Sequence, residues 1–339
     1  MLVIEQLPVL SDNYVYLVHE PDAGLTAVVD PAVTAPVLAA LEGRGWRLTH
    51  ILNTHHHHDH VGGNLELKAA TGCTIVGPRA DRGRIPGIEV ELGDGDIFRF
   101  GGSTAIVYDV PGHTSGHIAY HFARDHALFC GDTLFALGCG RMFEGTPPQM
   151  WHSLERLREL PDDTLIYCAH EYTQSNGRFA LSVEPGNAAL QARMREVDVR
   201  RRDGLPTVPS TIGEERATNP FLRPESAELQ QSLAVVGQPL HEIFGRVAAE
   251  HLLRKHREGH VLIAHRASEG DAAVDIGANR ADRGVDARDS DFDEPHAAER
   301  TTARAEVPPA LALKCASREI GSEVGCTATT KREQACAIT

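Results

Sequence analysis

The chain has 339 residues, 42% of them hydrophobic, and a formal net charge of −14. That supplies a core for one large domain or two smaller ones, while the acidity disfavours a nucleic-acid binder, which needs Lys and Arg for phosphates. No apolar run approaches the roughly 20 residues of a membrane helix.

The first stretch, "MLVIEQLPVLSDNYVYLV", lacks a basic region and a small-residue cleavage site, so no signal peptide is expected. Short β-branched or aromatic runs bounded by Gly, Pro, Asp or Asn then predict strands over 14–20, 25–31, 49–54, 73–78, 104–113, 126–132 and 164–170. Between them, "VGGNLELKAATG" reads as a loop and then a helix. "PPQMWHSLERLREL" carries Trp151, Leu154, Leu157 and Leu160 on one helical face behind Pro147 and Pro148. Mixed strands and helices predict an α/β layered domain over 1–170. Residues 171–258 show no convincing strand. Two helical stretches, around 186–204 and 239–259, joined by a Pro-rich segment, predict a smaller helical domain. Residues 259–339 lack Trp and Tyr, and their single aromatic is Phe292. This segment is expected to be disordered, and its composition also fits a shifted reading frame. Seven cysteines with no CxxC pair suggest neither a zinc ribbon nor a disulfide scaffold, and hence a reducing cytoplasm.

The chemistry concentrates in "THHHHDH", residues 54–60, which holds five of the nineteen histidines. The run is internal and contains an aspartate, unlike a purification tag. It follows a predicted strand, where α/β folds place their ligand sites. In extended backbone, His55 and His57 face one ion together. Asp59 and His60, after the turn, face a second. Other strand ends offer His113 and His117 in "VPGHTSGH", Asp132 in "FCGDTLF" and His170 in "YCAHEYT". Imidazole and carboxylate suit zinc, with iron or manganese as alternatives. His56, His58 and His117 are candidates for supporting roles. The histidines at 50, 121, 126 and 152 are expected on the surface or in packing.

These motifs resemble the metallo-β-lactamase-fold hydrolases, and within them the glyoxalase II (hydroxyacylglutathione hydrolase) family. The superfamily signature HxHxDH stands as His55, His57, Asp59 and His60. The closer match rests on "THHHHDHVGG", "PGHTSGH", "GDTLF", "GCGRMFEGT" and "CAHEYT", in the family's order. The resemblance covers roughly residues 1–247. It implies an αββα sandwich, then a helical substrate-binding domain. It also implies two metal ions per chain, one on His55, His57 and His113, the other on Asp59, His60 and His170, with Asp132 shared. The implied reaction is hydrolysis of the thioester S-D-lactoylglutathione to glutathione and D-lactate, which detoxifies methylglyoxal. Asp59 and Asp132 would be its catalytic carboxylates, and Arg141, Phe143 and Tyr172 its substrate contacts. A monomer with neither nucleic-acid nor membrane partners is expected.

The family's closing helix resembles RxxKDxF, but Ala248 and His251 stand where its Arg and Lys belong. Arg254 and Lys255, one turn later, are candidates to substitute but read first as solvated charges, so a raised KM for glutathione thioesters is expected. The competing readings are a metal-binding protein of this fold without turnover, a related lactonase or thioesterase, and a one-iron persulfide dioxygenase. "GCGRMFEGT" with "HEYT" disfavours the lactonase, and ligands for a second ion disfavour the dioxygenase.

Overall fold

The run Tyr14-Val15-Tyr16-Leu17-Val18 is apolar at every position because both faces of its strand are covered. Tyr14, Tyr16 and Val18 belong to one buried cluster and Val15 and Leu17 to another. A computed structural model describes the backbone of residues 1–268 and the side chains of residues 1–255. These residues belong to a single compact unit.

The first six strands are β1 (Val3–Val9), β2 (Asn13–Glu20), β3 (Leu25–Val29), β4 (His50–Leu52), β5 (Thr74–Pro78) and β6 (Val90–Leu92), and they form one sheet in that order. Its first two pairings are antiparallel and the other three parallel. Parallel pairing requires crossovers, here α1 (Ala35–Arg44), then α2 (His58–Val61) with α3 (Asn64–Thr71). Val37, Leu41 and Leu67 of these helices cover the outer face with Val15, Leu17, Val28, Ile51 and Ile75.

The second sheet uses β7 (Ile97–Phe100), β8 (Ser103–Asp109), β9 (Ile118–Phe122), β10 (Ala127–Gly131), β13 (Leu165–Cys168) and β14 (Ser210–Thr211), in the order β14-β13-β10-β9-β8-β7. A small ribbon of β11 (Leu134–Phe135) and β12 (Gly138–Cys139) follows β10. Tyr16, Val29 and Leu52 of the first sheet meet Phe98, Val107 and Phe129 of the second in the central core, which α4 (Pro147–Arg158) joins through Trp151, Leu154 and Leu157. The layers are helix, sheet, sheet, helix, as expected. Gln149 Oε1 accepts the Thr146 N–H at 3.0 Å and Pro147 takes the first helical position, so α4 starts where its sequence signals place it.

The remaining helices are α5 (Thr173–Val183), α6 (Ala188–Arg202), α7 (Ile212–Thr218), α8 (Ala227–Ser232) and α9 (Leu240–Ser268). Three expectations change here. Residues 171–258 do contain a strand, since β14 extends the second sheet through Leu165↔Thr211 and Ile166↔Ser210. The Pro-rich joiner also holds α7, whose N-cap Thr211 accepts from Glu214 N–H at 3.1 Å. Moreover α9 continues past residue 258, its Leu, Arg, Lys and Glu residues favouring helix and Gly245 and Gly259 its weak points. The rest of the expected tail lies outside the described residues. The strands missed by sequence were β1, β6, β7, β9 and the two-residue pieces. β1 contains Pro8 and polar Glu5 and Gln6, tolerable on an edge strand.

His251, on α9, sits beside Phe179 (ring centroids 4.7 Å) and Phe221 (5.5 Å), its Nε2 buried and without a hydrogen-bond partner. Burial, then the Lys255 ammonium, lower its pKa from 6.5 to about 4. The unfolded chain takes up a proton below 6.5 that the folded chain refuses until about 4, so stability falls as pH drops through that window. His251→Leu is therefore expected to raise the Tm more at about pH 5 than at about pH 7.5. Equal shifts at both pH values would refute this.

Candidate metal centre

After β4 the chain bends at Thr54 and His55 instead of continuing as a strand, and His57, at φ −59° and ψ 145°, caps α2. His60 N–H donates to the His57 carbonyl at 2.9 Å and closes the turn. Gly62 lets α2 lie against the preceding loop, because a Cβ there would come 2.5 Å from the Ala32 carbonyl oxygen. The bend and the short helix, not strand alternation, thus aim this segment's side chains. His113 comes from the β8–β9 loop, Asp132 follows β10, and His170 follows β13.

All seven residues converge. His57 Nδ1 lies 3.1 Å from His55 Nε2 and 3.0 Å from His113 Nε2. Beside this trio, Asp59 Oδ2 lies 3.6 Å from His60 Nε2 and 3.5 Å from His170 Nε2. Asp132 faces both groups. Its Oδ2 is 3.3 Å from His113 Nε2, and its Oδ1 is 3.5 Å from His60 Nε2 and 3.4 Å from His170 Nε2.

The electrostatics differ between the two groups. Burial first, then the neighbouring imidazoles, hold His55 and His57 below the usual histidine range, and burial lowers His113 although Asp132 opposes it. Neutral imidazoles are the form that ligates a cation. Burial opposes charge on His60 too, but the carboxylates of Asp132, Asp30 and Asp59 raise its pKa to about 9. The second group is thus dominated by negative charge. His60 Nε2 and Asp132 Oδ1 are buried without hydrogen-bond partners, an arrangement that is costly unless something else engages them. Nitrogen and oxygen donors converging around such atoms fit divalent metal ions.

An outer layer holds these donors. The far nitrogens of His55, His60, His113 and His170 meet Thr54 Oγ1 (3.0 Å), Asp30 Oδ2 (3.1 Å), the Arg141 carbonyl (2.7 Å) and Asp12 Oδ1 (2.9 Å). Such contacts fix the ring and its tautomer. Asp30, at φ 49° after β3, also accepts from Thr54 N–H and hydroxyl. Its position after an apolar strand, like that of Asp132, was the available signal, and the sequence reading passed it over. Asp12, Asn13 and Asp81 were missed as well. Among the supporting candidates, His117 stacks on His55 at 4.5 Å and accepts the Asp132 N–H at 3.1 Å. His56 Nδ1 meets Asp81 Oδ2 at 2.9 Å, and His58 is exposed. His121, expected at the surface or in packing, is buried.

A cleft of about 170 Å³ opens over His113 and Asp132, walled by Phe135, Arg141, Phe143, Tyr172 and Lys255. Phe143 is 59% exposed, with its ring 5.3 Å from that of His113 and the Arg141 guanidinium 5.0 Å from its centroid. Tyr172 stacks on His170 at 4.8 Å, and burial, then Asp12 and Asp132, push its hydroxyl well above the usual range. Lys255 is exposed, as expected of a solvated charge, and it also lines this cleft with Nζ 5.5 Å from the Tyr172 centroid. One helical turn past His251 brings it to the same side of α9. Arg254 instead pairs with Glu250 at 2.9 Å. A larger cavity of about 410 Å³ lies beside the β1–β2 turn, and none of the seven converging residues lines it.

Residues 9–170 match the family described as the metallo-beta-lactamase superfamily, and residues 171–257 that described as the hydroxyacylglutathione hydrolase C-terminus. The hydroxyacylglutathione hydrolase of Methylococcus capsulatus is 65% identical over 247 residues, covering 73% of this chain and 96% of that protein. Its counterpart in Rhodospirillum rubrum is 55% identical over 245 residues, covering 72% and 96%. Among solved structures, ETHE1 from Myxococcus xanthus is similar with a TM-score of 0.52 at 26% identity, covering 74% of this chain and 98% of that one.

Proposed function

From the premise that this chain belongs to the hydroxyacylglutathione hydrolase family of the metallo-beta-lactamase superfamily, we propose how its residues carry out thioester hydrolysis. The chain is a hydroxyacylglutathione hydrolase, and in this reading S-D-lactoylglutathione is its substrate, cleaved to glutathione and D-lactate. The observation that carries the site assignment is the Asp132 carboxylate, with one oxygen toward each group of donors.

In this reading His55, His57 and His113 hold one divalent ion and Asp59, His60 and His170 hold another, with Asp132 shared and zinc the first candidate over iron or manganese. Ions bound there would supply hydroxide near neutral pH and polarise the thioester carbonyl. The Asp59 carboxylate is 39% exposed, so water reaches it, and it is the carboxylate proposed to orient the attacking water. Phe135 and Phe143 form apolar walls that keep water from the acyl group. Tyr172, whose hydroxyl donates to Asp12, lines the cleft as a contact for the bound peptide. A thiolate leaves readily, so no strong general acid is required. The chain divides at residue 170 into a catalytic part and a helical substrate-binding part ending near 258, a division the two adjoining family matches support.

Glutathione carries two carboxylates, and the chain is acidic overall. Arg141 and Lys255 at the cleft mouth receive them. Lys255 thereby restores part of what Ala248 and His251 lack, and KM rises less than the sequence alone implied. Lys255→Ala is expected to raise KM roughly fivefold with kcat nearly unchanged, the scale of a solvent-exposed charge pair. An unchanged KM would remove Lys255 from the site. The reaction itself is tested by following thioester loss with the metal-loaded chain and a His57→Ala control. No hydrolysis by the metal-loaded chain would overturn the reading.

A further inference from the structure

The β1–β2 turn lies far from the histidine motif in sequence, yet it reaches the second group of donors at two points. Asn13 is buried, and its Nδ2 donates to Asp59 Oδ2 at 3.0 Å, the same oxygen that faces His60 and His170. Only the amide NH₂ end satisfies a carboxylate acceptor, so the orientation of Asn13 is determined. Next to it, Asp12 Oδ1 takes the His170 Nδ1–H at 2.9 Å, which leaves Nε2 as the ring's free lone pair toward Asp59 and Asp132. The main chain anchors both residues independently of their side chains. Tyr14 N–H donates to the Ala169 carbonyl at 2.7 Å and Glu171 N–H to the Asp12 carbonyl at 2.9 Å.

These contacts are one-sided. The partners found for His55 and His113 are Thr54 and the Arg141 carbonyl, outside the turn. We infer that Asp12 and Asn13 are positioning residues that assemble the second metal position, on Asp59, His60 and His170, while the trio His55, His57 and His113 forms without them. The inference rests on the two-ion reading above. It makes occupancy of the second position dependent on a hairpin turn that carries no ligand. Because backbone hydrogen bonds hold the turn, truncating either side chain removes the positioning contact and leaves the strand pairing in place.

The test is zinc content per chain after dialysis, with zinc affinity measured by chelator competition, on wild type, Asn13→Ala, Asp12→Ala and Asp12→Asn. Wild type is expected to hold two zinc ions. Asn13→Ala and Asp12→Ala are expected to keep one at wild-type affinity and to bind the other roughly 10- to 100-fold more weakly. Asp12→Asn is expected to stay close to wild type, since its amide oxygen still accepts the His170 proton. Two ions at wild-type affinity in both alanine variants would overturn the inference and leave the two-ion reading standing, as would equal weakening of both ions. A wild-type chain holding one zinc would overturn the two-ion reading and this inference with it.

Discussion

Asp132→Ala is expected to lower kcat for S-D-lactoylglutathione by about 10³-fold or more, with zinc content falling below two ions per chain. Asp132 turns one oxygen toward each group of donors, at 3.3 to 3.5 Å from three imidazoles. Burial alone would raise its pKa, but His60, His170 and His113 hold it far below the usual carboxylate range. Alanine deletes that charge and leaves His60 and His170 facing one another across a gap. Asp132→Asn separates shape from charge, since it keeps the volume and is expected to lose nearly as much activity. Activity within tenfold of wild type in either variant, with metal restored, would show that the bridge is dispensable.

Gly140→Ala is expected to cost roughly 100-fold in kcat without altering any donor. Gly140 follows β12 and packs directly on the residue that bridges the two groups. An added Cβ would overlap the Asp132 carbonyl oxygen and lie 3.1 Å from His113 Nδ1. The contact on Asp132 is with backbone, so it cannot be relieved by a rotamer change, and overpacking of this kind costs about 1–3 kcal/mol. The relief is a shift of the loop that carries Arg141, whose carbonyl holds His113 at 2.7 Å. Displacements near 1 Å are enough to disable a constellation of this type. The check is kcat together with zinc content in Gly140→Ala. A folded variant with wild-type values for both would mean that the loop yields without disturbing Asp132 or His113.

The central elements were legible because their residues obey local rules. The apolar run of β2 marks a strand covered on both faces, and "PPQMWHSLERLREL" carries its own start signal and its own apolar face. The candidate donors were legible for a related reason. A metal needs imidazole or carboxylate, and such residues directly after an apolar strand have few other uses. His55 and His57 converge all the same, at a bend and at the N-cap of a short helix instead of along an extended strand.

What stayed hidden is everything set by which loops meet. Asp12 and His170 are 158 residues apart, and nothing in either neighbourhood points to the other. Asn13 reads as an ordinary turn residue, and Asp30 as an ordinary residue before proline. Lys255 reads as a solvated charge, because a helix's sequence does not say what lies beside it. Local chemistry, written in residue types and spacing, was enough for seven of the strands, for the helical face of α4, for the family and for naming seven candidate donors. Only the tertiary structure decided how they are held. Strand order brings β13 beside β10 and the β1–β2 turn beside His170, and packing lays α9 along the cleft. Hydrogen bonds and ion pairs form only between groups that the fold brings within about 3 Å, and no spacing along the chain encodes that proximity.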